Sequence, residues 1–212
     1  MIRVEHCQSI RTLALAAAVS LALPALAALA EPMKKEHMAG AMGASPIKKM
    51  SKDQLMKLAQ SAAPAEIGKD ATVMIPGEDG KLVEAKKGTN GFTCLPDLDG
   101  MKKLDPMCGD AATMQWANDL MSGAAKPTNT VPGIGYMAQG GWHFEKDGKI
   151  LMKNEPGAKA VVEPAHWMVM WPVDAKASGL PTMPHGKFGT YIMWDGTPFA
   201  HLMIYQDPHQ IK

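Results

Sequence analysis

The 212-residue sequence has no excess of charge of either sign, and it contains little cysteine. Its 22 basic and 21 acidic residues give a net charge of +1, and no segment is polybasic. Phosphate binding needs basic side chains concentrated on one face, so this balance argues against a nucleic acid as partner. No Gly-x-Ser-x-Gly elbow is present, and no repeat recurs at a fixed period. These absences leave few sequence signs of catalysis.

The N-terminus has the pattern of a secretory signal peptide. Arg3 and Arg11 flank the start of an apolar run, residues 13–30, that closes on Ala-Leu-Ala, a small-x-small cleavage pattern. Removal of residues 1–30 takes away two arginines and one glutamate, which leaves 20 basic and 20 acidic residues. The alternative, an uncleaved anchor, is disfavoured because the run is rich in alanine, contains Pro24 and ends in a processing sequence rather than in basic stop-transfer residues. We predict a soluble periplasmic or secreted protein without a stable membrane anchor, in which residues 31–45 form a flexible tail.

Two cysteines remain after this cleavage, Cys94 and Cys108, on either side of a segment that contains proline and glycine. In an oxidising compartment, two such thiols are predicted to form a disulfide. The alternative, that one of them is a nucleophile or a metal ligand, has less support, because neither lies in a Cys-x-x-Cys pair or beside a histidine.

The remaining chain alternates short strand patterns with two helix patterns. Ser51 to Gln54 form a capping box before an apolar helical face, and Asp110 is a candidate cap for a second helix that ends near Gly123. Short apolar runs separated by glycine and proline predict strands joined by hairpins. We therefore predict one α+β domain over residues 46–212, with a largely antiparallel sheet, two main helices and one disulfide.

The last two predicted strands flank Asp195-Gly196, which has the sequence of a two-residue turn. A turn of that length would place Ile192 opposite Phe199. It would also put both residues on the side that carries His201.

Methionine is the compositional outlier, since 17 of its 18 residues remain after removal of the signal peptide. In EPAHWMVMWP, His166, Met168 and Met170 alternate along one strand and therefore share a face, and FAHLMIY repeats the His-x-Met spacing at His201 and Met203. Thioether and imidazole groups suit Cu(I), so these five residues are candidate copper ligands if the two strands are neighbours. The alternative is that the methionines fill gaps in the core and the histidines are satisfied buried polar groups.

Other motifs are weaker. Gly133 to Ala138 formally matches a dinucleotide-binding pattern, but Pro132 precedes it and no βαβ unit surrounds it, so we expect a turn. The segment from Asp97 to Gly100 resembles the start of a calcium loop, but it lacks a third ligand and the distal glutamate and is read as a turn. The carboxylates of Asp105, Asp110, Glu163 and Asp195 could act as an acid and base pair only if the fold brings two of them together.

The sequence resembles a family of uncharacterised exported bacterial proteins in four segments and in their order. These segments are GTNGFTCLPD, DPMCGDAATMQWAND, PGIGYMAQGG and YIMWDGTPFAHLMI. The resemblance spans about residues 61–205. It implies that Cys94, Cys108, Trp116, Tyr191, Trp194 and His201 belong to one shared structural pattern. It implies no activity.

Taken together, the sequence favours an exported binding or structural protein without enzymatic activity, whose ligand is unknown. A copper-binding protein and a small secreted hydrolase are the two alternatives.

Overall fold

The computed structural model describes residues 46–97 and 99–211. The predicted signal peptide and tail lie outside these residues. Four α-helices and two β-sheets make up the described chain, which confirms the predicted α+β class. The helices are α1 (Lys52–Gln60), α2 (Ala65–Gly68), α3 (Ala111–Met121) and α4 (Ala175–Ser178), and 3-10 turns span Pro46–Lys49 and Pro208–Gln210. None of the helices in this part of the chain is long and apolar enough to cross a membrane.

Eight of the eleven strands form one large sheet in the order β10-β11-β9-β5-β4-β3-β1-β2, and the other three form a small sheet in the order β7-β6-β8. Strands β1 and β3 run parallel, and the other paired strands of the described chain are antiparallel. The strands are β1 (Thr72–Pro76), β2 (Leu82–Lys86), β3 (Thr93–Leu95), β4 (Met107–Gly109), β5 (Gly133–Met137), β6 (Gly141–Lys146), β7 (Lys149–Leu151), β8 (Lys159–Glu163), β9 (His166–Met170), β10 (Gly189–Met193) and β11 (His201–Tyr205).

One face of the large sheet packs against α1, whose predicted capping box is present. The Ser51 hydroxyl accepts from the Gln54 amide at 3.3 Å, and the Gln54 side chain accepts from the Ser51 amide at 2.8 Å. Cys94 and Cys108 are buried on this face and are bonded to each other, as predicted. They are direct partners across β3 and β4, so the disulfide joins two paired strands.

The opposite face packs against α3, and the approach is close because glycines lie beneath the helix. A Cβ atom on Gly133 would lie only 2.5 Å from the backbone nitrogen of Thr113, so this position of β5 requires glycine. The expectation of a turn from Gly133 onward is therefore wrong. Gly133 and Gly135, which match the dinucleotide-binding pattern, lie in strand β5, and their lack of side chains lets α3 pack closely against it.

The Asp110 carboxylate links α3 to β5 through two hydrogen bonds. It accepts from the Thr113 amide at 2.8 Å, which caps the helix, and from the Ile134 amide at 2.9 Å. We expect Asp110→Ala to lower the free energy of unfolding by about 1–2 kcal/mol, since two backbone donors lose their acceptor. Urea denaturation measures this loss. Asp110→Asn keeps an acceptor oxygen and should lose less, and a loss from Asp110→Ala no larger than that from exposed Asp53→Ala would contradict the assignment.

Asp195 and Gly196 form a turn, as predicted, but this turn does not join the two strands directly as a two-residue loop. Met193 pairs with His201 and Ile192 pairs with Leu202, so residues 194–200 connect the two strands. This connection contains two successive turns, in which the Thr197 amide donates to the carbonyl oxygen of Trp194 and the Ala200 amide donates to that of Thr197. Trp194 has a left-handed φ of 55°, which is uncommon for a residue other than glycine.

The longer connection changes which side chains share a side of the hairpin. Ile192 lies on the face opposite His201, where it packs with Ala200. Tyr191 and Met193 take the positions beside Met203 and His201.

The chain passes twice between the two sheets at one corner of the molecule. It leaves the large sheet after Met137 and enters the small sheet at Gly141, and it returns between Glu163 and His166. Gly140 makes the first passage with φ +70°, and a Cβ atom there would lie 2.3 Å from the carbonyl oxygen of Glu163. Glycine is therefore needed at this corner.

Candidate functional site

A cavity of about 200 Å³ lies between the large sheet, α3 and the small sheet. Its walls are mostly apolar, but they include three histidines and three acidic residues. Thioether groups are the most frequent lining: Met107, Met121, Met137, Met152, Met168, Met170, Met193 and Met203. The five predicted copper ligands all line this cavity.

The strands that carry these five residues are neighbours in the large sheet, as the copper hypothesis requires. Met203 pairs with Met168, and Leu202 pairs with Val169. The same register, continued by one residue at each end, places His201 beside Met170 and His166 beside Tyr205. The two histidines are thus four residues apart in the strand direction, or about 13 Å. They lie at different ends of the cavity, separated by the Met168 and Met203 pair.

At one end, His201 lies in a row between two methionines. Met193 is its partner on β10, and Met170 is its neighbour on β9. Side chains directly opposite each other on adjacent strands have Cβ atoms about 5 Å apart, so the donor atoms of this row can reach a common point. We call Met193, His201 and Met170 the His201 row.

The protonation of His201 is set by its surroundings. Nδ1 donates to the carbonyl oxygen of Phe199 at 2.9 Å, so this nitrogen carries the proton. Burial lowers the pKa of His201 to about 4, which keeps the ring neutral at pH 7 and leaves a lone pair on Nε2. Trp116 and Trp194 cover the imidazole edge-on, with ring centroids 4.9 and 5.2 Å away.

At the other end, His166 is fixed in the same way. Its Nδ1 donates to the carbonyl oxygen of Pro164 at 2.8 Å. Nε2 is buried and has no hydrogen-bond partner in the described chain, and its nearest acidic atom is Oε2 of Glu163 at 3.6 Å. The whole residue is 0% exposed. A buried polar atom without a partner is uncommon, and a bound ion is one of the recognised explanations for it.

Glu163 is the centre of a buried hydrogen-bond network beside His166. Its Oε1 accepts from His143 Nδ1 at 2.5 Å and from the Tyr191 hydroxyl at 3.0 Å. His143 Nε2 contacts Glu145 Oε1 at 2.7 Å, so both ring nitrogens face carboxylates. The Tyr191 hydroxyl is also 3.2 Å from that of Tyr205.

This network shifts the pKa values of its members in opposite directions. Burial alone would raise the pKa of Glu163, but the hydrogen bond from His143 and the nearby imidazoles hold it below its usual range. Burial alone would lower the pKa of His143, but the two carboxylates raise it. The geometry and these shifts describe an imidazolium between two carboxylates.

The loop between β3 and β4 carries three acidic side chains close together. Asp97, Asp99 and Asp105 each place a carboxylate oxygen within 4.8 Å of the others, so Asp105 supplies the third acidic group that the sequence pattern lacked. Burial and the charge of Asp97 raise the pKa of Asp99 to about 6. Within residues 46–97 and 99–211, no other group of three His, Cys, Asp or Glu side chains is as close.

Sequence reasoning missed Met193, Met137 and His143 as members of the site, and it named Glu163 only as a possible acid or base. A signal existed for Met193, because a longer connection between the last two strands would have placed it beside His201. The other three belong to the corner where the two sheets meet. The chain matches no protein-family model, no curated protein and no solved structure.

Proposed function

We propose that the protein is an exported binding protein whose cavity holds Cu(I) at the His201 row. The observation that carries this proposal is the strand register, in which His201 pairs with Met193 and, when the β9–β11 register is continued by one residue, lies beside Met170. Imidazole and thioether groups are the donors that Cu(I) prefers among biological ligands.

The surroundings of the row favour a soft, singly charged ion. Met193, His201 and Met170 are all buried, and none of the three carries a charge at neutral pH. A hard divalent cation would find no oxygen ligand in this row, whereas Cu(I) needs none.

The backbone anchor of His201 matches the common arrangement at metal sites. A ligating histidine usually donates its second ring N–H to a carbonyl or carboxylate, which fixes the tautomer and the ring orientation. The Nδ1 contact with Phe199 does this and directs the lone pair to Nε2.

Replacing a thioether by an isosteric alkyl group tests the proposal with little disturbance of packing. We expect Met170→Leu and Met193→Leu each to weaken Cu(I) binding about tenfold, and His201→Gln to weaken it about a hundredfold, because each removes one ligand. The measurement is an anaerobic titration of the mature protein with Cu(I) against a competing chelator.

Met101→Leu is the matched control, since Met101 is equally buried but lies outside the cavity lining. It should bind Cu(I) as the unmodified protein does. Equal affinity in all four variants would sink the proposal, because any bound copper would then be held elsewhere.

A second candidate is an apolar small molecule that carries a hydrogen-bond acceptor. Trp116 and Trp194 line the same cavity, and their indole nitrogens are buried and donate to no acceptor in the described chain. Native mass spectrometry of protein isolated from its exporting host separates the two candidates. A copper adduct supports the first, and an organic adduct of a few hundred daltons that Trp116→Phe removes supports the second.

The cavity gives no support to the hydrolase alternative. Its lining in the described chain includes no serine, threonine or cysteine that could act as a nucleophile beside His143, His166 or His201.

A further inference from the structure

At the corner where the chain passes between the two sheets, Met137 and Gly141 lie next to Glu163 and His166, which are more than twenty positions further along the chain. Met137 pairs with His166 in the large sheet, and Gly141 pairs with Glu163 in the small sheet. Since both passages lie side by side, the end of β5, the start of β6, the end of β8 and the start of β9 meet there.

The side chains of Met137, Glu163 and His166 all lie close to Gly141. A methyl group placed on Gly141 would lie 3.0 Å from Cε of Met137, 3.6 Å from Oε2 of Glu163 and 3.7 Å from Cε1 of His166. A thioether, a carboxylate and an imidazole therefore converge on the bare surface of one glycine.

The unpartnered nitrogen at this corner favours a cation. Nε2 of His166 is fully buried and has no hydrogen-bond partner in the described chain, and its Nδ1 already donates to Pro164. The nearest carboxylate oxygen, Oε2 of Glu163, lies 3.6 Å from Nε2. A buried polar atom without a partner is costly, and a cation bound between these two atoms would supply the partner.

We propose that His166, Glu163 and Met137 form a second metal site that binds Cu(II). Imidazole and carboxylate are suitable ligands for Cu(II), and a thioether is a common weak additional ligand of copper. This site goes beyond the proposed Cu(I) function and shares no residue with the His201 row.

The test is titration of the mature protein with Cu(II) under air, followed by electron paramagnetic resonance and competition with a chelator. Cu(II) gives a resonance signal and Cu(I) gives none, so the two sites are read separately. We expect one equivalent of Cu(II) to show nitrogen hyperfine structure from one imidazole. His166→Gln and Gly141→Ala should each weaken this binding at least about tenfold. The backbone of Gly141 lies outside the left-handed region, so alanine changes mainly the space at the convergence point.

His201→Gln is the control variant for the Cu(I) site. Three further variants, His37→Gln, His185→Gln and His209→Gln, test whether imidazoles outside both proposed sites bind the Cu(II). All four should retain the Cu(II) signal, and His201→Gln alone among them should lose Cu(I). A Cu(II) signal that survives both His166→Gln and Gly141→Ala, or the lack of any protein-bound signal, would overturn the second site and leave the Cu(I) proposal standing. Loss of Cu(I) binding only in the His201 row variants would support that first proposal, whatever the outcome with Cu(II).

Discussion

Replacement of Glu163 by leucine is expected to lower the free energy of unfolding by about 3–5 kcal/mol at pH 7. The carboxylate accepts from His143 and Tyr191 within the protein interior. Leucine fills a similar volume but leaves a buried imidazolium paired only with Glu145 and a tyrosine hydroxyl without its carboxylate. Removing one partner of a buried ion pair costs far more than the pair contributes, because the remaining charge stays desolvated. Urea denaturation of the metal-free protein measures the loss.

A double-mutant cycle with His143 separates this effect from a general packing defect. If the two residues act as a pair, Glu163→Leu combined with His143→Leu should cost clearly less than the sum of the single changes. Glu163→Gln keeps an acceptor oxygen and should be less harmful than leucine. Additive losses in the cycle, or a cost of Glu163→Leu below about 1 kcal/mol, would contradict the described network.

Acidification from pH 6.5 to 4 is expected to destabilise the metal-free protein by up to about 3 kcal/mol through His201 alone. Burial lowers the pKa of this residue to about 4 in the folded state, against an ordinary value near 6.5. Between these two values the unfolded chain binds a proton that the folded chain does not, so stability falls as the pH falls. The stability that the neutral His201 allows is therefore fully present above pH 6.5, and it is lost progressively as the pH falls toward 4.

The contribution of His201 is isolated by comparison with His201→Gln, which cannot titrate. The difference in unfolding free energy between the two proteins should shift with pH in this window and stay constant above it. His185→Gln is the control, because His185 is exposed and its replacement should leave the pH profile unchanged. A pH profile for His201→Gln that runs parallel to that of the unmodified protein would contradict the burial of an uncharged imidazole.

Local sequence signals predicted the elements that depend on neighbouring residues. The capping box at Ser51 and the cap at Asp110 involve contacts within three positions, and both helices begin where these residues stand. The alternation of His166, Met168 and Met170 follows from strand geometry alone, and all three line the cavity. The disulfide between Cys94 and Cys108 was predicted from the expected oxidising compartment and from the number of cysteines, and the structure contains it.

Features that depend on chain segments far apart were not predictable in this way. Whether His201 faces Met193 or another residue depends on the length of the connection between β10 and β11, and Asp195-Gly196 suggested a shorter one. Ile192 pairs with Leu202 and not with Phe199, a shift of three positions. A shift by an odd number of residues exchanges Ile192 and Met193 as the residue that shares a face with His201, so an error about the turn left Met193 out of the predicted ligand set.

The corner site was still less accessible from sequence. It forms only because two passages between sheets, near residues 137–141 and 163–166, lie beside each other. Glu163 gave no sequence sign of its partner His143, since the pair meets through strand pairing across twenty positions.

The covalent bond between Cys94 and Cys108 lies on the α1 face of the large sheet, away from the methionine cavity. Because it joins directly opposed residues of β3 and β4, it forbids a shift of one strand against the other by one position. Side chains alternate between the two faces, so the same constraint keeps Met107 turned toward the cavity. The bond on one surface of the sheet therefore also fixes which residues of β3 and β4 face the cavity on the other surface. In a chain whose two thiols are reduced, only hydrogen bonds and packing would hold this register.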